Sequence, residues 1–250
     1  MITDIINSFH TFQDFIDLIR GQKFNIFDYF KFKNLKYNII SLGQNCFPRV
    51  ICSFAKLKPT KIYGELSCPF DLAYYYNIDK IIELLNNNFE NLFDETYFDE
   101  KEDTYINYAL NINFVHDGKL TKEELISRYN KRIENFNFYL NSEKPLICVF
   151  YASSQLSEKH ILDIYNYIKS KRENKKFGLV IAHNSNINFE NKPKEVFLVD
   201  KVDIFNLDQG SSSWIKLMRP KYRKKNPLAE DIYLRVTDVL KKAIKESCNI

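Results

Sequence analysis

The chain is poor in glycine and proline, with 6 Gly and 7 Pro in 250 residues. That excludes collagen-like and Pro/Gly-rich low-complexity architectures. No stretch approaches the roughly 18 consecutive apolar residues of a membrane span. The N-terminus, MITDIINSFHTFQDFIDLIRG, has Asp4, Asp14 and Asp17 interspersed and no basic start, so it does not read as a signal peptide. Cys46, Cys52, Cys68, Cys148 and Cys248 form no CxxC and no Cys/His cluster of metal-ligand spacing. This argues against a structural zinc and, without an export signal, points to reduced thiols in a cytoplasmic protein. GxGxxG, a Walker lysine motif and DxD are all missing, which weakens a nucleotide- or sugar-handling transferase. A net charge of only +4 licenses neither nucleic-acid nor membrane-surface binding.

What is present is core-forming: hydrophobic residues make up 45% of the chain, with 21 Phe and 16 Tyr. Ile5, Ile6, Phe9, Phe12, Phe15, Ile16 and Ile19 share one helical face, predicting an amphipathic helix over about 3–21. Tyr37–Leu42, ended by Gly43, reads as a buried strand, and a helix over 46–57 tolerates Pro48 in its first turn. A helix is expected over 78–93 and at least one strand within 104–115. Thr121 and Glu124 form a capping box that opens a helix to about Leu140. The apolar runs 145–151, 177–182 and 195–199 read as strands, with 202–205 a candidate continuation. Helices are expected over 157–171 and from Pro227 onward, and the basic run 221–225 reads as a solvated loop. Apolar strands alternating with amphipathic helices predict an α/β fold of three layers, a mostly parallel sheet with helices on both faces. The whole chain, 1–250, reads as one domain: an N-terminal helix and connector (1–36) and an α/β core (37–250).

Chemistry concentrates in Ile39–Arg49, where the first strand runs through Gly43 into Gln44, Asn45 and Cys46. In open α/β sheets, ligands bind beyond the carboxyl ends of strands. A cysteine at a helix N-terminus has its thiolate favoured by the dipole and free amides, so Cys46 is expected at a pocket mouth with a lowered pKa. Carbonyl-polarising donors would come from the Cys46 amide and the side chain of Asn45 or Gln44. His116 follows an apolar run and is a candidate base, with His183, also at a strand end, as its rival. His10 and His160 read as surface residues.

SLGQNC (41–46), SCPFDLA (67–73), FENLFD (89–94), FVHD (114–117) and RYNKRIENF (128–136) occur in this order. Together, over about 38–151, they resemble a bacterial domain family of unknown function named for papain-like cysteine peptidases. Leu72 departs from that family's pattern, which carries an aromatic residue after PFD. The resemblance implies Cys46 as nucleophile, His116 as general base and Asp71 or Asp117 as orienting carboxylate. It also raises a papain-like α+β fold as the alternative architecture.

The leading function is therefore a cysteine-dependent acyl-transfer enzyme, a hydrolase or transferase acting on a peptide, amide or ester bond. Gly43, Gln44, Asn45, Arg49 and Arg132 are candidate substrate-binding residues, Arg132 either binding an anionic group or pairing with a Glu. The alternatives are a non-catalytic ligand- or glycan-binding module and a transferase linked to surface polysaccharide metabolism. Expected partners are a small-molecule, peptide or glycan substrate, with no nucleic acid, no membrane span and no cofactor.

Overall fold

The structure, a computed structural model, describes residues 25–207 and 214–248. The helix expected over 3–21 and His10 lie outside the described residues. Helix α1 (Ile26–Lys33) leads to strand β1 (Asn38–Gly43), helix α2 (Phe47–Phe54), strand β2 (Tyr74–Tyr75) and helix α3 (Ile78–Asn86). Strands β3 (Thr96–Asp99), β4 (Thr104–Asn107) and β5 (Ile112–Asn113) precede helix α4 (Lys122–Asn141). Then come β6 (Leu146–Ala152), α5 (Glu158–Arg172), β7 (Phe177–His183) and β8 (Val196–Val199). Helices α6 (Trp214–Met218), α7 (Pro220–Arg223) and α8 (Pro227–Cys248) follow.

β1, β6, β7 and β8 pair in that order, all parallel, with Gly43 opposite Tyr151 and Ala152 opposite His183. Their continuous apolar runs suit strands buried on both faces. Alternate side chains diverge accordingly. Ile40, Leu42, Cys148, Phe150, Leu179 and Ile181 join one hydrophobic cluster with residues of α3, α4 and α5. Ile39, Ile147, Val149, Tyr151, Val180 and Ala182 join another with residues of α2, α6 and α8.

The mostly parallel sheet expected from sequence is four strands; a second sheet, β2–β5–β4–β3, is antiparallel. The segment 104–115, expected to hold at least one strand, holds two: β4, a turn and β5. Asn111, at φ 54°, bends the chain between the two.

Other boundaries move for local reasons. α3 stops at Asn86 rather than 93, because Asn88, Phe89 and Asn91 take left-handed backbone at φ 53°, 66° and 61°. The capping box of α4 is present: Thr121 Oγ1 accepts from Glu124 N at 3.2 Å, and Glu124 Oε2 from Thr121 N at 2.8 Å. Residues 202–205 form no strand. The basic run 221–225 is not wholly solvated: Arg223 is buried, 3.3 Å from the Tyr233 ring centroid and ion-paired to Glu230. Among the described residues, no helix is long and apolar enough to cross a membrane.

Candidate active site

β1 carries the chain to Gly43, where φ is 108° and an added Cβ would lie 2.3 Å from the Tyr151 carbonyl oxygen. Only glycine lets β1 end this close to β6. Gln44, Asn45 and Cys46 then leave the sheet, and Cys46 is the N-cap of α2.

Gln44 is engaged through both ends of its side-chain amide. Its Oε1 accepts from the backbone amides of Ser153 and Ser154 at 2.8 and 2.9 Å, and its Nε2 donates to Tyr76 O at 2.9 Å. Its own carbonyl accepts from Tyr75 N at 2.9 Å. Gln44 thus pins the antiparallel sheet to the carboxyl ends of β1 and β6, with one Nε2 hydrogen committed to Tyr76 O. Asn45 differs. Its Oδ1 accepts from Phe47 N at 2.9 Å, but its Nδ2 is buried and without a hydrogen-bond partner. A buried donor left unsatisfied costs about 1–3 kcal/mol, so this amide is an anomaly that a ligand acceptor would relieve.

Cys46 is buried, 6% exposed, in the cluster that holds Phe47, Ile51 and Trp214. Its expected low pKa is reversed: burial pushes the thiol up to about 11. Its own backbone amide and the Arg49 charge pull the other way, while Asp71 adds to the rise. Desolvation outweighs the N-terminal field of an eight-residue helix.

Beneath this loop lies a buried ion network that sequence reading missed. Arg49 meets Glu65 bidentately, Nε to Oε1 at 3.0 Å and Nη2 to Oε2 at 2.8 Å. Lys58 Nζ lies 3.2 Å from Glu65 and 3.1 Å from Asp71. Asp71 Oδ2 also accepts from Cys68 N at 2.6 Å. Lys58, Glu65 and Asp71 are all buried, and the two cations hold Glu65 below the ordinary carboxylate range. Asp71 is thus spent on Lys58 and the Cys68 amide, and no hydrogen bond joins it to His116. Nothing in the spacing of Lys58, Glu65 and Asp71 marks them as partners, since Lys58 and Glu65 lie in irregular chain and Asp71 ends the short 3-10 turn Pro69–Asp71.

His116 sits in a turn after β5, closed by Asp117 N donating to Phe114 O at 2.9 Å. It is exposed and, among the described residues, without a hydrogen-bond partner. Partial desolvation of the ring, together with the Arg132 and Arg49 charges, lowers its pKa, and Asp117 opposes this. Asp117 itself is buried between Arg128 and Arg132. His116, Asp117, Arg128, Arg132, Glu65 and Leu72 border one groove of about 1360 Å³. Cys46 is not among its lining residues, yet the charge of Arg49 acts on both Cys46 and His116.

The other histidines are committed elsewhere. His183 is buried, its Nε2 3.0 Å from Asp200 Oδ1 and its Nδ1 accepting from Ser185 N at 3.2 Å. His160 is half-buried rather than a plain surface residue, accepting from Ser157 N and meeting Asp79 at 3.1 Å. Among the described residues, no group of three His, Cys, Asp or Glu side chains is placed to hold a metal ion.

A family model described as "Putative papain-like cysteine peptidase (DUF1796)" matches residues 37–186. The chain belongs to this family. The match runs past the motifs at 41–136 through β6, α5 and β7. No curated protein and no solved structure matches the chain. The family's description supports a cysteine-enzyme reading in general. Its papain comparison is met only in part, because Cys46 opens a short helix behind a parallel strand while His116 follows an antiparallel one.

Proposed function

We propose that this chain is a cysteine-dependent acyl-transfer enzyme with Cys46 as nucleophile, His116 as general base and Asn45 as carbonyl-polarising donor. The observation that carries the proposal is the Asn45 Nδ2 group, buried and unsatisfied in the residue before Cys46. Preorganised donors of this kind stabilise the oxyanion of a tetrahedral intermediate without reorganisation. The raised thiol and lowered imidazole pKa mean that both groups are neutral at pH 7. The chemistry is then general-base catalysis, as with a serine nucleophile, rather than attack by a standing thiolate. Cys46 Sγ adds to the acyl carbon as its proton passes to His116, directly or through one water; the proton then goes to the leaving group. His116, exposed and, among the described residues, without a hydrogen-bond partner, is free to turn towards Cys46. Reading the two hydrophobic clusters as helices on both faces of a three-layer α/β fold supports this, because it puts Cys46 at the ligand-binding edge.

One observation favours a second reading, a ligand-binding module without catalysis: no hydrogen bond joins Cys46 to a base. Treatment with p-nitrophenyl acetate followed by intact-mass and peptide mapping separates the two. The enzyme reading expects a single acetyl group on Cys46, absent from Cys46→Ala. Acetylation spread over all cysteines, or none, supports the binding module instead.

A further inference from the structure

The groove beside His116 contains a guanidinium pair whose capacity is only partly used. Arg128 and Arg132 stand one turn apart on α4 and so share a helix face. Both meet the buried Asp117 carboxylate, Arg128 Nη1 at 2.5 Å from Oδ1 and Arg132 Nη1 at 3.4 Å from Oδ2. Two cations therefore share one anion. The Arg132 side chain is 7% exposed and lies over the Tyr129 ring at 4.4 Å, yet it borders the groove. Among the described residues, the long contact to Asp117 is the sole hydrogen bond taking up any of its donors.

Most of the five donors of this guanidinium are unspent among the described residues and are open to the groove, where water or a ligand can take them up. Neighbouring charges do not complete it. Glu65 is held by Arg49 and Lys58, Lys131 pairs with Glu134 at 2.8 Å, and the Glu124 carboxylate caps Thr121 N. His116, the candidate base, is adjacent in the chain to Asp117 and borders the same groove.

We infer that Arg128 and Arg132 form a carboxylate-binding subsite, so that the substrate of this groove carries a carboxylate near the bond presented to His116. Asp117 already sets one carboxylate against both guanidinium groups, one contact from each; guanidinium forks fit carboxylate and phosphate alike, so a phosphate probe separates the two. The substrate assignment rests on the acyl-transfer proposal; the subsite itself does not.

The test is isothermal titration calorimetry on the full chain carrying Cys46→Ala, which removes the chemistry and leaves binding. The probes are acetyl-trialanine with a free C-terminal carboxylate, the same peptide as its C-terminal amide, and inorganic phosphate. The free acid is expected to bind at least tenfold more tightly than the amide, and Arg128→Gln or Arg132→Gln should each remove that preference. Arg128 is largely exposed, so its substitution leaves the Arg132–Asp117 contact in place and keeps the test valid if Arg132→Gln impairs folding. Failure of acyl transfer at Cys46 leaves this result untouched, which separates the two proposals. Equal affinity for acid and amide, a preference that survives both substitutions, or phosphate binding without carboxylate preference would overturn the subsite.

Discussion

Asn45 performs two tasks with two ends of one amide: Oδ1 caps the first turn of α2, while Nδ2 is the buried donor assigned to the acyl oxygen. Replacement by Asp keeps the acceptor and removes the donor. Asn45→Asp is therefore expected to retain the Phe47 N cap while losing about 10²–10³-fold in acylation rate, the usual loss for one oxyanion donor. Stopped-flow measurement of p-nitrophenolate release checks it; an unchanged rate would return Asn45 to a purely local role. The position of Cys46 at the end of β1 was legible in the sequence, because an apolar run, a glycine and three polar residues mark a chain leaving a sheet. Its burial was not legible. Packing from α2 and α6 closes over the thiol, and neither helix announces that in the SLGQNC segment. The structural bonds of Gln44 were not legible for the same reason: its partners, Ser153, Ser154 and Tyr76, are remote in sequence.

At the scale of elements, the junction between β1 and β6 and the ion network behind it hold the site loop in place. Gly43→Ala introduces a Cβ at 2.3 Å from a backbone oxygen that cannot yield, at a φ of 108° that L side chains avoid. The expected loss is more than about 2 kcal/mol, read from the urea midpoint; a loss under 0.5 kcal/mol would show that the junction relaxes. Lys58→Met leaves Glu65 and Asp71 buried without their shared cation, a change that costs about 3–5 kcal/mol at pH 7. Glu65 titrates below its ordinary value in the fold, so its pairing contributes stability above pH 4.5 that is lost as pH falls through the folded value. The gap between wild type and Lys58→Met should accordingly narrow in acid; a gap independent of pH would contradict the ion-pair account. Strands β1, β6 and β7 were readable as continuous apolar runs. The antiparallel sheet was not, because β2 and β5 are two residues long and too short for any period to register.

For the whole molecule, the buried thiols and phenols set the alkaline limit of stability. Burial pushes Cys46 up to about 11, and Cys52 and Tyr37 up to about 12, while Cys68 and Cys148 also move up. An unfolded thiol titrates near 9.0, so the unfolded chain releases these protons first. The stability they contribute is complete below that value and is lost as pH rises through the folded values. The urea midpoint should hold from pH 7 to 8.5 and fall steadily towards pH 10.5; a flat profile would mean that the thiols are not buried as described. The central claim, that His116 takes the proton of Cys46, is tested most directly by the pre-steady-state burst of p-nitrophenolate in His116→Ala. The exposed ring carries little packing, so stability should be unchanged while the burst rate falls about 10²–10⁴-fold, the usual contribution of a general base. A burst of undiminished rate in that variant, still acetylating Cys46, would contradict the pairing outright.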